Sequence, residues 1–238
     1  MLEVCVESLQ GARIAVEAGA QRIELSERLS VGGVSPSIEL IRSLRREMSE
    51  SLIVLIRCRA GDFVYSPTEL EAMLEQARQA IASGADGLAV GACKPDRSLD
   101  WHFLTQLQRV VRSESEAAWL VVHRVFDRVP DPLESIERLI ELGYDRILTS
   151  GPSDRAIESL ESLGQWQSAS RGRLEILPAS GIHSGNALTI LQSTLCEQLH
   201  GSFTRTPTGS ASSLPIAEEV AEVRRLIDEH LERLKVEG

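Results

Sequence analysis

No basic stripe runs through this sequence. Its 238 residues hold 25 Lys and Arg against 35 Asp and Glu, a formal net charge of −10. Such a chain has nothing with which to neutralise a phosphate backbone, so nucleic acid is excluded as the expected partner. No apolar run approaches the roughly 18 residues that a membrane helix needs, and no N-terminal stretch follows the layout of a signal peptide. The expectation is a cytoplasmic protein with no membrane partner. The four cysteines, Cys5, Cys58, Cys93 and Cys196, are far apart and form no Cys-x-x-Cys pair. They read as reduced thiols rather than as a disulfide framework or a structural zinc site. No linker divides the chain. Its one low-complexity stretch, residues 204–214, reads as a flexible loop within a single domain spanning 1–238.

What is present is an alternation. A hydrophobic share of 42% and a charged share of 25% suit an ordinary soluble globular protein. Eight short apolar strand candidates lie at 3–6, 22–25, 52–57, 87–92, 118–124, 146–150, 174–179 and 198–202. Amphipathic helix candidates separate them, the last near 215–235. Ser35-Pro36, Ser66-Pro67-Thr68-Glu69 and Asp131-Pro132-Leu133-Glu134 supply helix starts. An internal repeat marks the opposite junction. Gly19-Ala20-Gln21-Arg22-Ile23, Gly84-Ala85-Asp86-Gly87-Leu88 and Gly143-Tyr144-Asp145-Arg146-Ile147 each read as helix end, glycine turn and strand. Repeated βα units of this number predict an α/β fold, a TIM-like (β/α)8 barrel. The alternative, an open doubly wound sheet, requires a glycine-rich phosphate turn after the first strand. Val6-Glu7-Ser8-Leu9-Gln10-Gly11 is not one.

In a barrel, the strands deliver their C-terminal residues to a common mouth. The fifth strand candidate ends in His123 and is followed by Asp127; the second carries Glu24; the third ends in Arg57, with Arg59 just beyond. The catalytic reading makes His123 a general acid or base oriented by Asp127 or Glu24, with Arg57 and Arg59 holding an anion. The turns after the last two strands, Ser180-Gly181 and Gly201-Ser202, are small enough to offer backbone N–H groups to a phosphate. The competing reading is structural. Charged strand residues such as Glu3, Glu24, Arg57 and Glu175 must pair when buried, and could simply fill the barrel layers as ion pairs.

Several segments together resemble one family. Glu3-Val4-Cys5-Val6-Glu7-Ser8, Gly19 to Leu25, Gly32-Gly33-Val34-Ser35-Pro36-Ser37 and Ile56 to Ser66 are similar to the CutC family, usually called copper homeostasis proteins. The match continues through Gly84-Ala85-Asp86-Gly87, His123-Arg124-Val125-Phe126-Asp127, Leu148-Thr149-Ser150-Gly151, Pro178 to Ile182 and His200-Gly201-Ser202. The resemblance implies a TIM-like barrel, a cytoplasmic homo-oligomer (dimer or tetramer), and a role in copper homeostasis with copper as the bound ion. It implies no reaction.

There are departures from the pattern. The family's Glu-Leu-Cys after the second strand is here Glu24-Leu25-Ser26, and its triple glycine after the seventh is Ala179-Ser180-Gly181. The segment after the last strand is shortened to residues 204–214. Cys5 is therefore left as the metal candidate of a pair of thiols suited to Cu(I), against its reading as a small core residue. Two functions stand side by side: a copper-binding protein of this family, or a barrel enzyme acting on a small anionic or phosphorylated substrate.

Overall fold

The computed structural model describes residues 1–204 and 214–237. The expected loop at 204–214 lies, apart from its two ends, outside them. Eight parallel strands form one sheet: β1 (Leu2–Val6), β2 (Arg22–Leu25), β3 (Ser51–Ile56), β4 (Gly87–Val90), β5 (Trp119–Val122), β6 (Arg146–Thr149), β7 (Glu175–Pro178) and β8 (Leu199–Gly201). Their order is β7-β6-β5-β4-β3-β2-β1-β8, and the two outer strands, β7 and β8, meet to bring the sheet round into a barrel. Helices α1 (Leu9–Glu17), α2 (Ile38–Glu47), α3 (Pro67–Ala82), α4 (Trp101–Glu114), α5 (Pro132–Glu141), α6 (Leu160–Ser170), α7 (Ser184–Thr194) and α8 (Ala217–Glu237) cover it. The expected barrel is the observed fold.

Strand alternation separates two cores. Leu2, Val4 and Val6 of β1 face outward into the layer shared with the helices, as do Ile23 and Leu25 of β2. The residues between them face inward. Over β3 to β7 the inward set is mostly apolar, a cluster of Ile53, Leu55, Ala89, Val121, Leu148, Leu177 and Ala179, with the ion pair of Arg146 and Glu175 at the start of β6 and β7. Over β8, β1 and β2 it is polar: His200, Glu3, Cys5, Arg22 and Glu24, all buried. One wall of the barrel is oily and the other is ionic.

The sequence repeat has a structural purpose. Gly19, Gly84 and Gly143 all hold left-handed φ angles, +101°, +104° and +72°, where an L side chain is strained. Two residues on, a side-chain oxygen ties the turn to the neighbouring strand. Gln21 accepts from the Leu2 N–H at 3.2 Å, Asp86 from Leu52 at 2.8 Å, and Asp145 from Leu120 at 2.7 Å. Each copy thus pins the start of one strand beside the next. Among the helix starts, Ser66 and Glu69 form the expected reciprocal capping box. Two others differ. α2 starts after Ser37, because Ser35 is drawn away: its hydroxyl accepts from the Arg57 N–H and donates to Gln76. Asp131 precedes α5 without a side-chain cap bond.

Candidate functional site

The ionic wall is built on strand register. Glu3 stands opposite Arg22 on β2 and His200 on β8, and Cys5 stands opposite Glu24. Toward the floor of the barrel, the Arg22 guanidinium donates to Glu3 and, at 2.8 Å, to Gln198. Burial alone would raise the Glu3 carboxyl, but the Arg22 charge and the bond to His200 hold it well below the usual carboxylate range. The other Glu3 oxygen lies 2.7 Å from Nδ1 of His200. Glu3 thus orients the imidazole from behind.

One pleat closer to the mouth, Cys5, Glu24 and His200 bring a thiol, a carboxylate and an imidazole nitrogen within 4.8 Å of one another. Burial raises the Cys5 thiol. Burial also pushes Glu24 up to about 7, with the His200 charge opposing. For His200, burial pulls downward, but Glu24, Cys5 and Glu3 outweigh it and hold the ring well above its ordinary value. Oε2 of Glu24 is buried without a hydrogen-bond partner, as is Oγ of Ser26 next along the strand. Cys5 and His200 open into a cleft of about 1130 Å³. Their soft sulfur and imidazole donors, with one carboxylate, suit a thiophilic ion such as Cu(I). The second thiol that the resemblance implies is Ser26, a harder and weaker donor.

The expected anion turns line this same cleft: Ser180, Gly181, Gly201 and Ser202 are all in its wall. Ser180 and Gly181 both hold left-handed φ angles, +74° and +71°. The Ser180 hydroxyl donates to the Asp154 carbonyl at 2.7 Å. The N-terminus of α7 beside them is already met by a carboxylate, since Glu219 of α8 accepts from the Ser184 N–H and hydroxyl at 2.5 and 3.1 Å.

The other expected residues gather beyond the ends of β3 and β5. His123 is buried, its Nδ1 accepting from the Val125 N–H at 3.2 Å and its Nε2 without a partner. Burial, with Arg57 and Arg124 nearby, lowers its pKa to about 3, so the ring is neutral. Asp127 does not orient it. That carboxylate accepts from Thr149, from the Ser150 N–H and hydroxyl, and from Arg124. Arg57 donates to the carbonyls of Val31, Gly32, Gly33 and Gly61, tying two loops together. Arg59 is held by Glu69 at 2.6 Å and Asp62 at 3.0 Å. His200 is the residue that sequence reasoning passed over in favour of its small neighbours. The signal for it was alternation: if Gly201 faces out, His200 faces in.

The family model for CutC matches residues 1–205. The chain belongs to the CutC family. A family protein CutC of Sinorhizobium medicae is 40% identical over 202 residues, 85% of this chain and 80% of that one. The human copper homeostasis protein cutC homolog is 36% identical over 200 residues, covering 84% and 72% of the two chains. A crystal structure of the copper homeostasis protein CutC from Streptococcus agalactiae superposes with a TM-score of 0.77 at 31% identity, over 85% of this chain and 98% of that one. At 16% identity, 3-hexulose-6-phosphate synthase from Salmonella typhimurium shares the fold alone, with a TM-score of 0.66 over 96% and 99% of the chains. Among the described residues, no helix is long and apolar enough to cross a membrane.

Proposed function

We propose that this member of the CutC family binds copper as its cargo, in the cytoplasm, at the Cys5–Glu24–His200 cluster. The observation that carries the reading is the convergence of those three side chains at the floor of the mouth, with a buried Glu24 oxygen that no protein group satisfies. A buried, unpartnered carboxylate oxygen is costly, and an arriving cation removes the cost. The family name points to the same cargo. Cys5 would supply the thiolate and His200 the imidazole, while Glu3 holds the ring by its other nitrogen, as carboxylates do behind metal-bound histidines. The homo-oligomer implied by the family is part of the same proposal. Metal handling is favoured over catalysis because the expected acid–base groups do not converge: His123 follows β5, three strands round the sheet from Glu24 on β2, and Asp127 serves Thr149 and Ser150.

The test is an anaerobic Cu(I) titration against a chromogenic chelator, with wild type, Cys5→Ser and His200→Gln. Wild type should take up one equivalent. Each variant should bind at least the roughly 10- to 100-fold more weakly that loss of a supporting partner alone costs a metal site. Absence of stoichiometric uptake, or uptake indifferent to both substitutions, overturns the reading.

A further inference from the structure

A buried charge without a counter-ion stands just past the end of β3. Arg57 is only 6% exposed. Its terminal nitrogens reach neutral carbonyls, and among the described residues no carboxylate pairs with it. Its Nε–H is buried with no acceptor. Tyr65, beside it, is pushed up to about 12 by burial and stays neutral. Carbonyl dipoles soften a buried guanidinium charge but do not cancel it.

Arg57 faces a cleft of about 570 Å³ whose lining shares only Arg124 with the cleft over Cys5 and His200, among the described residues. Five cationic side chains line it against two carboxylates, on a protein whose net charge is −10. Both carboxylates are engaged, Asp62 with Arg59 and Asp127 with Arg124, Thr149 and Ser150. Lys94 and Arg97 are exposed and take part in none of the salt bridges among the described residues. A tight turn presents them: the Lys94 N–H donates to the Ser98 carbonyl at 2.8 Å and the Arg97 N–H to the Lys94 carbonyl at 2.9 Å. Asp96 fastens the turn by accepting from the Ser98 N–H and hydroxyl. An apolar surface completes the cleft, with the Phe63 ring 4.9 Å from the Arg57 guanidinium carbon.

We propose that this cleft binds a small organic anion, a phosphate monoester or a carboxylate, met by Lys94 and Arg97, supplying the counter-charge of Arg57 and resting its apolar part on Phe63. The site is separate from the copper cluster and does not rest on it. The local excess of positive charge on an acidic protein also steers anions to this face.

The experiment uses phenyl phosphate, benzoate and uncharged phenol as probes, followed by amide chemical shifts of the full chain. At least one anion should bind saturably with shifts at Gly32, Phe63 and Lys94, phenol should not, and the tighter anion names the class. The double variant Lys94→Ala, Arg97→Gly should weaken binding by roughly tenfold or more, the scale of a lost charge-assisted contact. It tests the site without disturbing Arg57, which ties two loops. Cys5→Ser should bind the anion as wild type does. Phenol binding as well as the anions, a double variant with unchanged affinity, or loss of anion binding in Cys5→Ser would each overturn the proposal.

Discussion

Two polar clusters stand one pleat apart inside the same barrel wall, and they are not alike. Toward the floor, Arg22, Glu3 and Gln198 satisfy one another. Toward the mouth, Cys5, Glu24 and His200 are equally buried, yet Glu24 keeps an oxygen with no partner. The floor cluster answers the charge problem that its own burial creates, as buried ions must. The mouth cluster leaves it partly open, next to a cleft through which a ligand can reach Cys5 and His200. Burial and charge alone do not separate structural from functional groups. A missing partner beside an open cleft does, because Nη1 of Arg146 is unpartnered too.

The largest expected effect breaks the floor. Arg22→Met leaves Glu3 buried without its guanidinium, and equilibrium denaturation should show a loss of about 3–5 kcal/mol. A loss below about 1 kcal/mol would mean that the floor ions are not paired as described.

Next comes Glu24→Gln, which should act in the opposite direction. The folded-state pKa of Glu24 is raised to about 7. A carboxyl raised in this way is most stabilising while protonated, below its unfolded pKa, and loses that stability as pH rises through 7. Glutamine should therefore stabilise by roughly 1–3 kcal/mol at pH 8 and by almost nothing at pH 4. A destabilised Glu24→Gln at pH 8 would place Glu24 with the floor cluster.

Arg146→Met should cost less than Arg22→Met, about 1 kcal/mol, because Glu175 is 43% exposed and can return to water. Comparable losses for the two arginines would remove the distinction between a fully buried pair and a half-open one. Smallest is the stability change in Cys5→Ser, within about 1 kcal/mol, since the two side chains are near-isosteric. That near-silence in denaturation, set beside a large loss of Cu(I) affinity, is what separates a ligand from a core residue.

The barrel was legible because its signals are local. Apolar runs of strand length, cap residues and the three glycine turns need only neighbours in sequence to be interpreted, and the repeat even carried the Gln21, Asp86 and Asp145 ties. Strand ends were less sharp. The fifth strand was expected over 118–124 and covers Trp119–Val122, because His123 begins a short 3-10 turn through Arg128 that takes the chain out of the sheet. The candidate site was legible in part. Cys5 was expected as the metal candidate and Glu24 as a carboxylate of the mouth. His123, Asp127 and Arg57 were grouped with Glu24 because all lie at or just past strand ends, and arrival at a common mouth does not fix which groups a side chain there will bond.

The sequence by itself determined the barrel, the family and the candidacy of Cys5 and Glu24, since each follows from periodicity or motif along the chain. Only the tertiary structure decided that His200 completes their cluster. Closing the sheet sets β8 beside β1 and so joins residues almost two hundred positions apart. Packing of the loop after β2 against the end of β3 set Arg57 among neutral carbonyls, with no counter-ion among the described residues. A charge's partners are a property of three-dimensional packing, and no local pattern in the chain records them.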